Sequence, residues 1–139
     1  MNFGVLVFNQ VEELDFIGPW DLLTMWSKFA NGPENCIIVS QALEPVVCAK
    51  GLSINAHVSF ADCPPLDYLL VPGGRGTRQE VNNPVLVEFV ASQAKNCKAV
   101  LSVCTGSFVL HSAGILGAEG NNALAFVGAV ASARRRFSS

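Results

Sequence analysis

Charge is scarce in this chain. Only 14% of its 139 residues are Asp, Glu, Lys or Arg, and the net charge is −2. So weak a balance offers no electrostatic footprint for nucleic acid. The one basic cluster, Arg134-Arg135-Arg136, is short and reads as a solvated helix face or a tail. Neither GxxxxGK[ST] nor GxGxxG occurs, so no phosphate-cradling fingerprint is present. Histidine is limited to His57 and His111, and the cysteines at 36, 48, 63, 97 and 104 include no CxxC or zinc-finger spacing. No metal or organic cofactor is therefore expected. An odd cysteine count without framework spacing fits free thiols in a reducing cytoplasm. Met1 to Phe8 is apolar but lacks a basic n-region and is too short for a signal peptide or a membrane span. No membrane partner is expected, and no internal repeat is visible.

What remains is apolar. Half of the residues are hydrophobic, which suits a core-rich single domain rather than a disordered chain. Phe3 to Phe8 is a continuous apolar run, the pattern of a parallel strand covered on both faces. After a loop from Asn9 to Leu14, Gly18-Pro19 is expected to open a helix, with Trp20, Leu22, Leu23 and Trp26 as its apolar stripe. A strand over Cys36 to Ser40 and a hairpin around Ala49-Lys50-Gly51 follow. Phe60 to Pro65 reads as a loop, and Asp67 to Val71 as a buried strand halted by Pro72-Gly73-Gly74-Arg75-Gly76. Asn83-Pro84 starts a helix to about Lys95, and Ala99 to Val103 is a strand with a helix over Thr105 to Ala113 behind it. Strands alternating with helices predict a doubly wound α/β fold.

Cys104 sits where that last strand meets its helix, in Leu101-Ser102-Val103-Cys104-Thr105-Gly106-Ser107. A thiol at a strand-to-helix elbow faces backbone N–H groups that favour the thiolate, the nucleophilic form. Cysteine also serves as a small buried hydrophobe. Ligands gather outside the carboxyl ends of parallel strands, and that position favours a nucleophile. Asp15 lies beyond the first strand between Leu14 and Phe16. Burial beside a thiolate would keep its carboxyl protonated, whereas a helix N-cap is the competing role. Gly73 and Gly74 could present N–H groups to an anion or simply make a tight turn. Thr105 could donate its hydroxyl or N–H beside the thiol, or only start the helix. His111, two turns along, is expected to point away. Phe16, Trp20 and Trp26 either line a small apolar pocket or pack in the core.

Four segments together resemble the ThiJ/PfpI superfamily: Leu14-Asp15-Phe16-Ile17-Gly18-Pro19, Ser59 to Asp67, Val71-Pro72-Gly73-Gly74 and Ser102 to Ser107. Within it they look most like the isonitrile hydratase (cyclohexyl-isocyanide hydratase) branch. The resemblance runs from Phe3 to about Leu116. It implies a class I glutamine-amidotransferase-like, flavodoxin-like fold, a small-molecule substrate, lyase chemistry and, for the intact relative, a homodimer. It implies a cysteine nucleophile at Cys104, a carboxylic acid bonded to the thiol at Asp15, and the matching Thr105. It places Gly73, Gly74 and Gly18 as substrate- or oxyanion-binding positions. Proteases and glyoxalase-like members of the superfamily usually carry a histidine where Thr105 stands. Similar domains also form the sensing half of AraC-type regulators, which would need a helix-turn-helix half that this chain does not show.

The resemblance stops near Leu116. Relatives continue with Lys/Arg-Ala-Thr-Thr-His-Trp, where this chain reads Ala118-Glu119-Gly120-Asn121-Asn122-Ala123-Leu124-Ala125. A shifted reading of plausible codons for Glu119 to Ala125 restores that motif. The expectation is thus a 1–116 α/β portion with its C-terminal strands missing, and a 117–139 tail translated out of frame. Ala123 to Arg136 could form a helix, with no further strand after the elbow.

Overall fold

In a computed structural model of the protein, which describes residues 1–115 and the backbone of 123–126, the apolar runs become strands of one sheet. β1 (Asn2–Leu6) is followed by α1 (Glu13–Phe29) and β2 (Asn35–Ser40). A hairpin of β3 (Val46–Val47) and β4 (Ser53–Ile54) stands apart from the sheet. β5 (Val58–Ser59) leads through a 3-10 turn at Phe60–Asp62 to β6 (Tyr68–Val71). Then come α2 (Thr77–Glu80), α3 (Pro84–Ala94), β7 (Ala99–Val103), α4 (Gly106–Ser112) and β8 (Ala123–Phe126).

The strand order is β5-β2-β1-β6-β7-β8, and each neighbouring pair is parallel. Without the short edge strand β5, this is the 2-1-3-4-5 order of a flavodoxin-like, doubly wound sheet, as the sequence predicts. The chain steps one way from β1 to β2 and the other way from β6 to β7 and β8. Right-handed crossovers in opposite directions put α1 on one face and α3 and α4 on the other. The direction changes between β1 and β6, so a crevice opens beyond their carboxyl ends. The core joins Val5, Leu6, Leu69, Val71 and Val100 of the strands to Phe16 of α1, Leu86 and Val90 of α3, and Val109 and Leu110 of α4.

The first helix departs from expectation. It begins at Glu13, not at Gly18-Pro19, and Pro19 lies inside it. The start is pinned from outside: the Glu12 N–H donates to the Gly73 carbonyl at 2.9 Å. The Glu13 carboxylate accepts from the Lys50 and Leu52 amides, which docks the hairpin there. Gly18, lacking a Cβ, tolerates the proline that follows it within a helix. The short elements β5 and α2 carry no sequence period long enough to see. The Asn83-Pro84 helix start is as expected, with the Asn83 side chain accepting from the Val85 N–H at 3.1 Å.

The segment after the elbow helix also differs. Where the sequence suggests a helix from Ala123 and no further strand, Ala123–Phe126 is β8, in register with β7 from Val100↔Ala123 to Val103↔Phe126. Alanine and leucine favour helix locally, but pairing with an already formed strand edge overrides so weak a preference. The expectations for 116–122 and 127–139, including the Arg134-Arg135-Arg136 run, lie outside the described residues.

Leu69 of the central strand β6 is fully buried, while Leu43 is 57% exposed. Leu69→Ala should lower unfolding stability by about 2–5 kcal/mol. Leu43→Ala should change it by less than about 0.5 kcal/mol. Urea denaturation of the two variants checks the assignment of the core.

Candidate active site

Three segments meet at the crevice, the ends of β6 and β7 and the first turn of α1, and each carries one part of the site. β7 ends at Cys104, whose φ of 50° is left-handed. A non-glycine residue rarely adopts that conformation, and such strain concentrates at functional positions. It turns the chain sharply from β7 into α4. The turn is possible because Gly106 lies against β6: a Cβ there would sit 2.2 Å from the Val71 carbonyl oxygen. The Cys104 thiol is thereby held half-buried at the rim of the sheet.

Asp15 reaches the thiol from the first turn of α1. Its Oδ1 lies 3.9 Å from Cys104 Sγ, and its Oδ2 accepts from the Gly73 N–H at 3.1 Å. Asp15 is inside the helix rather than at its N-cap, and the cap residue Glu12 makes no side-chain capping bond. Burial holds the Asp15 carboxyl above the ordinary carboxylate range. The Gly73 N–H opposes this, the Glu12 charge adds to it, and the contact with Cys104 opposes it. Oδ2 already accepts a hydrogen bond from the Gly73 N–H, so an acidic proton on this carboxyl belongs on Oδ1, facing sulfur.

Gly73 and Gly74 follow β6 and close the third side. A Cβ on Gly73 would lie 2.8 Å from both Thr105 N and Thr105 Oγ1, and 3.0 Å from Asp15 Oδ2. Only glycine fits between the elbow and the carboxyl. The Gly74 N–H donates to Thr105 Oγ1 at 3.0 Å, and the Thr105 hydroxyl faces the Gly74 carbonyl at 3.3 Å. This corrects one expectation. The Gly73 and Gly74 amides do not face an open anion site, because Asp15 and Thr105 occupy them. The Thr105 amide, unlike those of the glycine pair, is left without an acceptor among the described residues.

Gly18 does not line the cavity at Cys104, which measures about 580 Å³. His111 is exposed on α4 and does not line it either, as expected. Phe16 is core, and Trp20 is half-buried beside the His57 ring at 5.5 Å. Trp26 is partly exposed, and none of the three lines this cavity. His57 has a structural partner, since its Nδ1 accepts from the Ile38 N–H at 2.8 Å. Burial pushes the Cys63 and Cys97 thiols up to about 11, and also raises Cys36 and Cys48. Those four cysteines are thus held as neutral thiols. Among the described residues, no group of three His, Cys, Asp or Glu side chains is placed to hold a metal. No helix among them is long and apolar enough to cross a membrane.

Sequence reasoning missed Thr77, which is buried and donates from its hydroxyl to the Gly74 carbonyl at 2.8 Å. Its Oγ1 also lies 3.2 Å from Thr105 Oγ1, so two threonines clamp one glycine turn. It missed Arg75, Arg78, Val81 and Phe108 as cavity walls too. No motif marks them. Only the short helix α2 and the start of α4 bring them together.

An open parallel sheet with a cysteine elbow facing a carboxyl from the first helix defines a class of flavodoxin-like α/β proteins. Within that class the chain belongs to the DJ-1/PfpI family, whose pattern matches residues 2–124. It is 39% identical over 117 residues to isonitrile hydratase of Pseudomonas putida, covering 84% of this chain and 49% of that enzyme. The chain therefore spans about half the length of that relative. It is 30% identical over 110 residues to the glutathione-independent glyoxalase DJR-1.2 of Caenorhabditis elegans, covering 78% of this chain and 56% of the relative. A THiJ/PfpI family protein from Pseudomonas syringae has the same fold, with a TM-score of 0.79 at 24% identity over 91% of this chain and 62% of its own.

A carboxyl with a raised folded-state pKa carries an extra proton in the folded state between its unfolded and folded values. Stability therefore falls as pH rises through that window. Asp15→Asn keeps an acceptor for the Gly73 N–H and removes the titration. As pH rises above the ordinary carboxylate value of about 4, the urea midpoint of the wild type should fall relative to that of Asp15→Asn. Parallel curves would show that the Asp15 carboxyl is not perturbed.

Proposed function

We propose that this chain hydrates isonitriles, R–N≡C, to N-substituted formamides through Cys104. The observation that carries this is the pairing of an elbow thiol with a carboxyl biased toward its acid form, in a cavity with no histidine among its described walls. The isonitrile hydratase relative supports the same reading. The terminal isonitrile carbon accepts a nucleophile and a proton at one atom. Cys104 sulfur would bond to that carbon while Asp15 Oδ1–H protonates it, giving R–N=CH–S–Cys and an Asp15 carboxylate. Asp15 would then take a proton from water as the water oxygen adds to the same carbon. The proton of the new hydroxyl then passes to nitrogen as the C–S bond breaks, which returns the thiolate and gives R–NH–CHO. The Thr105 N–H would steady charge developing beside sulfur.

Glyoxalase-type chemistry is the second reading, because a glyoxalase is also among the relatives. It is less well served here, since Thr105 fills the place of the usual histidine and its hydroxyl is bound to the Gly74 turn. The two are separated by formamide production from an isonitrile against lactate production from methylglyoxal. Cys104→Ala should abolish formamide production, and Asp15→Asn should slow it by about 10²–10⁴-fold. Undiminished hydration by Cys104→Ala would end this mechanism. Neither product would favour a ligand-sensing module.

A second copy of the chain is the partner proposed for α1. Leu14, Leu22 and Phe29 are 71–80% exposed there, and Ile17 and Met25 share the same outward arc. So large an apolar stripe marks a contact surface on a soluble domain. Sedimentation should show a dimer for the wild type and a monomer for the Leu22→Lys/Phe29→Glu double variant. A monomeric wild type would rule the dimer out.

A further inference from the structure

The ionisable groups around the Cys104 cavity are unequal in sign. Its charged and chargeable walls, besides the thiol, are Glu12, Asp15, Arg75 and Arg78. The Glu12 carboxylate is ion-paired with Lys50 Nζ, so its charge is already met. Asp15 is held toward its neutral form by burial. The Arg75 guanidinium donates to Gln10 Oε1 at 3.2 Å and to the Ala49 carbonyl at 2.7 Å. Both acceptors are neutral. They fix the position of Arg75 without cancelling its charge. Among the described residues, no carboxylate pairs with Arg78, and its guanidinium makes no hydrogen bond. The cavity thus has a positive rim, one arm anchored and one arm unpartnered, above the apolar wall of Val81 and Phe108.

We propose that the cavity selects substrates that carry a carboxylate away from the reacting carbon, with Arg78 as the residue that binds it. A guanidinium offers a planar fork of donors that matches a carboxylate with two parallel bonds. Arg75, already tethered, adds to the field that draws an anion in. The apolar body of the substrate rests against Val81 and Phe108, and its electrophilic carbon reaches Cys104. This rests on the reading of Cys104 as the nucleophile, but not on the identity of the electrophile. In the isonitrile case, the favoured substrates are isonitriles of carboxylic acids rather than plain alkyl isonitriles.

Two alkylating reagents that differ in charge test this without any assumption about the natural reaction. Iodoacetate carries a carboxylate, and iodoacetamide is its neutral counterpart. With either one, Cys104 sulfur bonds to the methylene carbon, the carbon–iodine bond breaks, iodide leaves and the thiol proton passes to buffer. The rate at Cys104 is read by mass spectrometry of its peptide, so the other cysteines do not contribute. The expected result is that the iodoacetate-to-iodoacetamide rate ratio falls about 5-fold in Arg78→Gln. Arg78→Lys should restore part of it, and salt near 1 M should lower the wild-type ratio toward that of Arg78→Gln. A ratio unchanged by Arg78→Gln overturns the proposal. So does equal slowing of both reagents, which would mean that Arg78 serves the thiolate itself. Failure of either reagent to label Cys104 overturns the nucleophile reading and this proposal with it. An intact ratio effect in a protein that does not hydrate isonitriles supports the anion site and removes only the isonitrile assignment.

Discussion

A single backbone amide, the Gly73 N–H, ties the site together. It donates to Asp15 Oδ2, and this leaves Oδ1 facing the Cys104 thiol. The bond joins the end of β6 to the first turn of α1, and the elbow after β7 lies in contact with both. It holds because Gly73 has no side chain, since a Cβ would strike Thr105 and Asp15 together. The Glu12 N–H to Gly73 carbonyl bond pins the same glycine from its other side, so the start of α1 and the carboxyl it carries move as one unit. A carboxyl on a freely moving loop would find water instead, and burial would no longer favour its acid form.

The left-handed backbone at Cys104 is costly, and its surroundings over-determine it. Gly106 sits against the Val71 carbonyl, and the Thr105 hydroxyl is clamped between Gly74 and Thr77. Gly74, Thr77 and Thr105 line the same cavity as Cys104, so the contacts that hold the elbow also form part of the cavity wall. The Thr105 side chain is engaged by the turn, through Gly74 and Thr77. Holding a reactive group rigidly on the end of a strand is more exact than placing it on a mobile loop, and it explains how so small a constellation can rest on short elements.

Much of the fold was legible in advance, because parallel strands covered on both faces read as unbroken apolar runs. Phe3 to Phe8 and Ala99 to Val103 are of that kind, and the second matches β7 residue for residue. The errors fell where local preference and tertiary pairing disagree. Gly18-Pro19 looks like a helix opening, yet hydrogen bonds from the Gly73 turn and the hairpin set the start at Glu13. Ala123-Leu124-Ala125-Phe126 looks helical, yet the edge of β7 makes it a strand.

By itself the sequence determined the alternation of strands and helices, and with it the doubly wound sheet. It also determined that one cysteine of five would sit on an elbow, because apolar period, glycine and strand length are properties of neighbouring residues. It could not decide what surrounds that cysteine. The Asp15 contact spans 89 positions, and the Thr105–Gly74 clamp spans 31. Arg75 and Arg78 face the cavity only because α2 folds back beside the elbow. The partners of a polar group, and the burial that shifts its protonation, depend on residues distant in the chain. Only the tertiary structure brings those residues together.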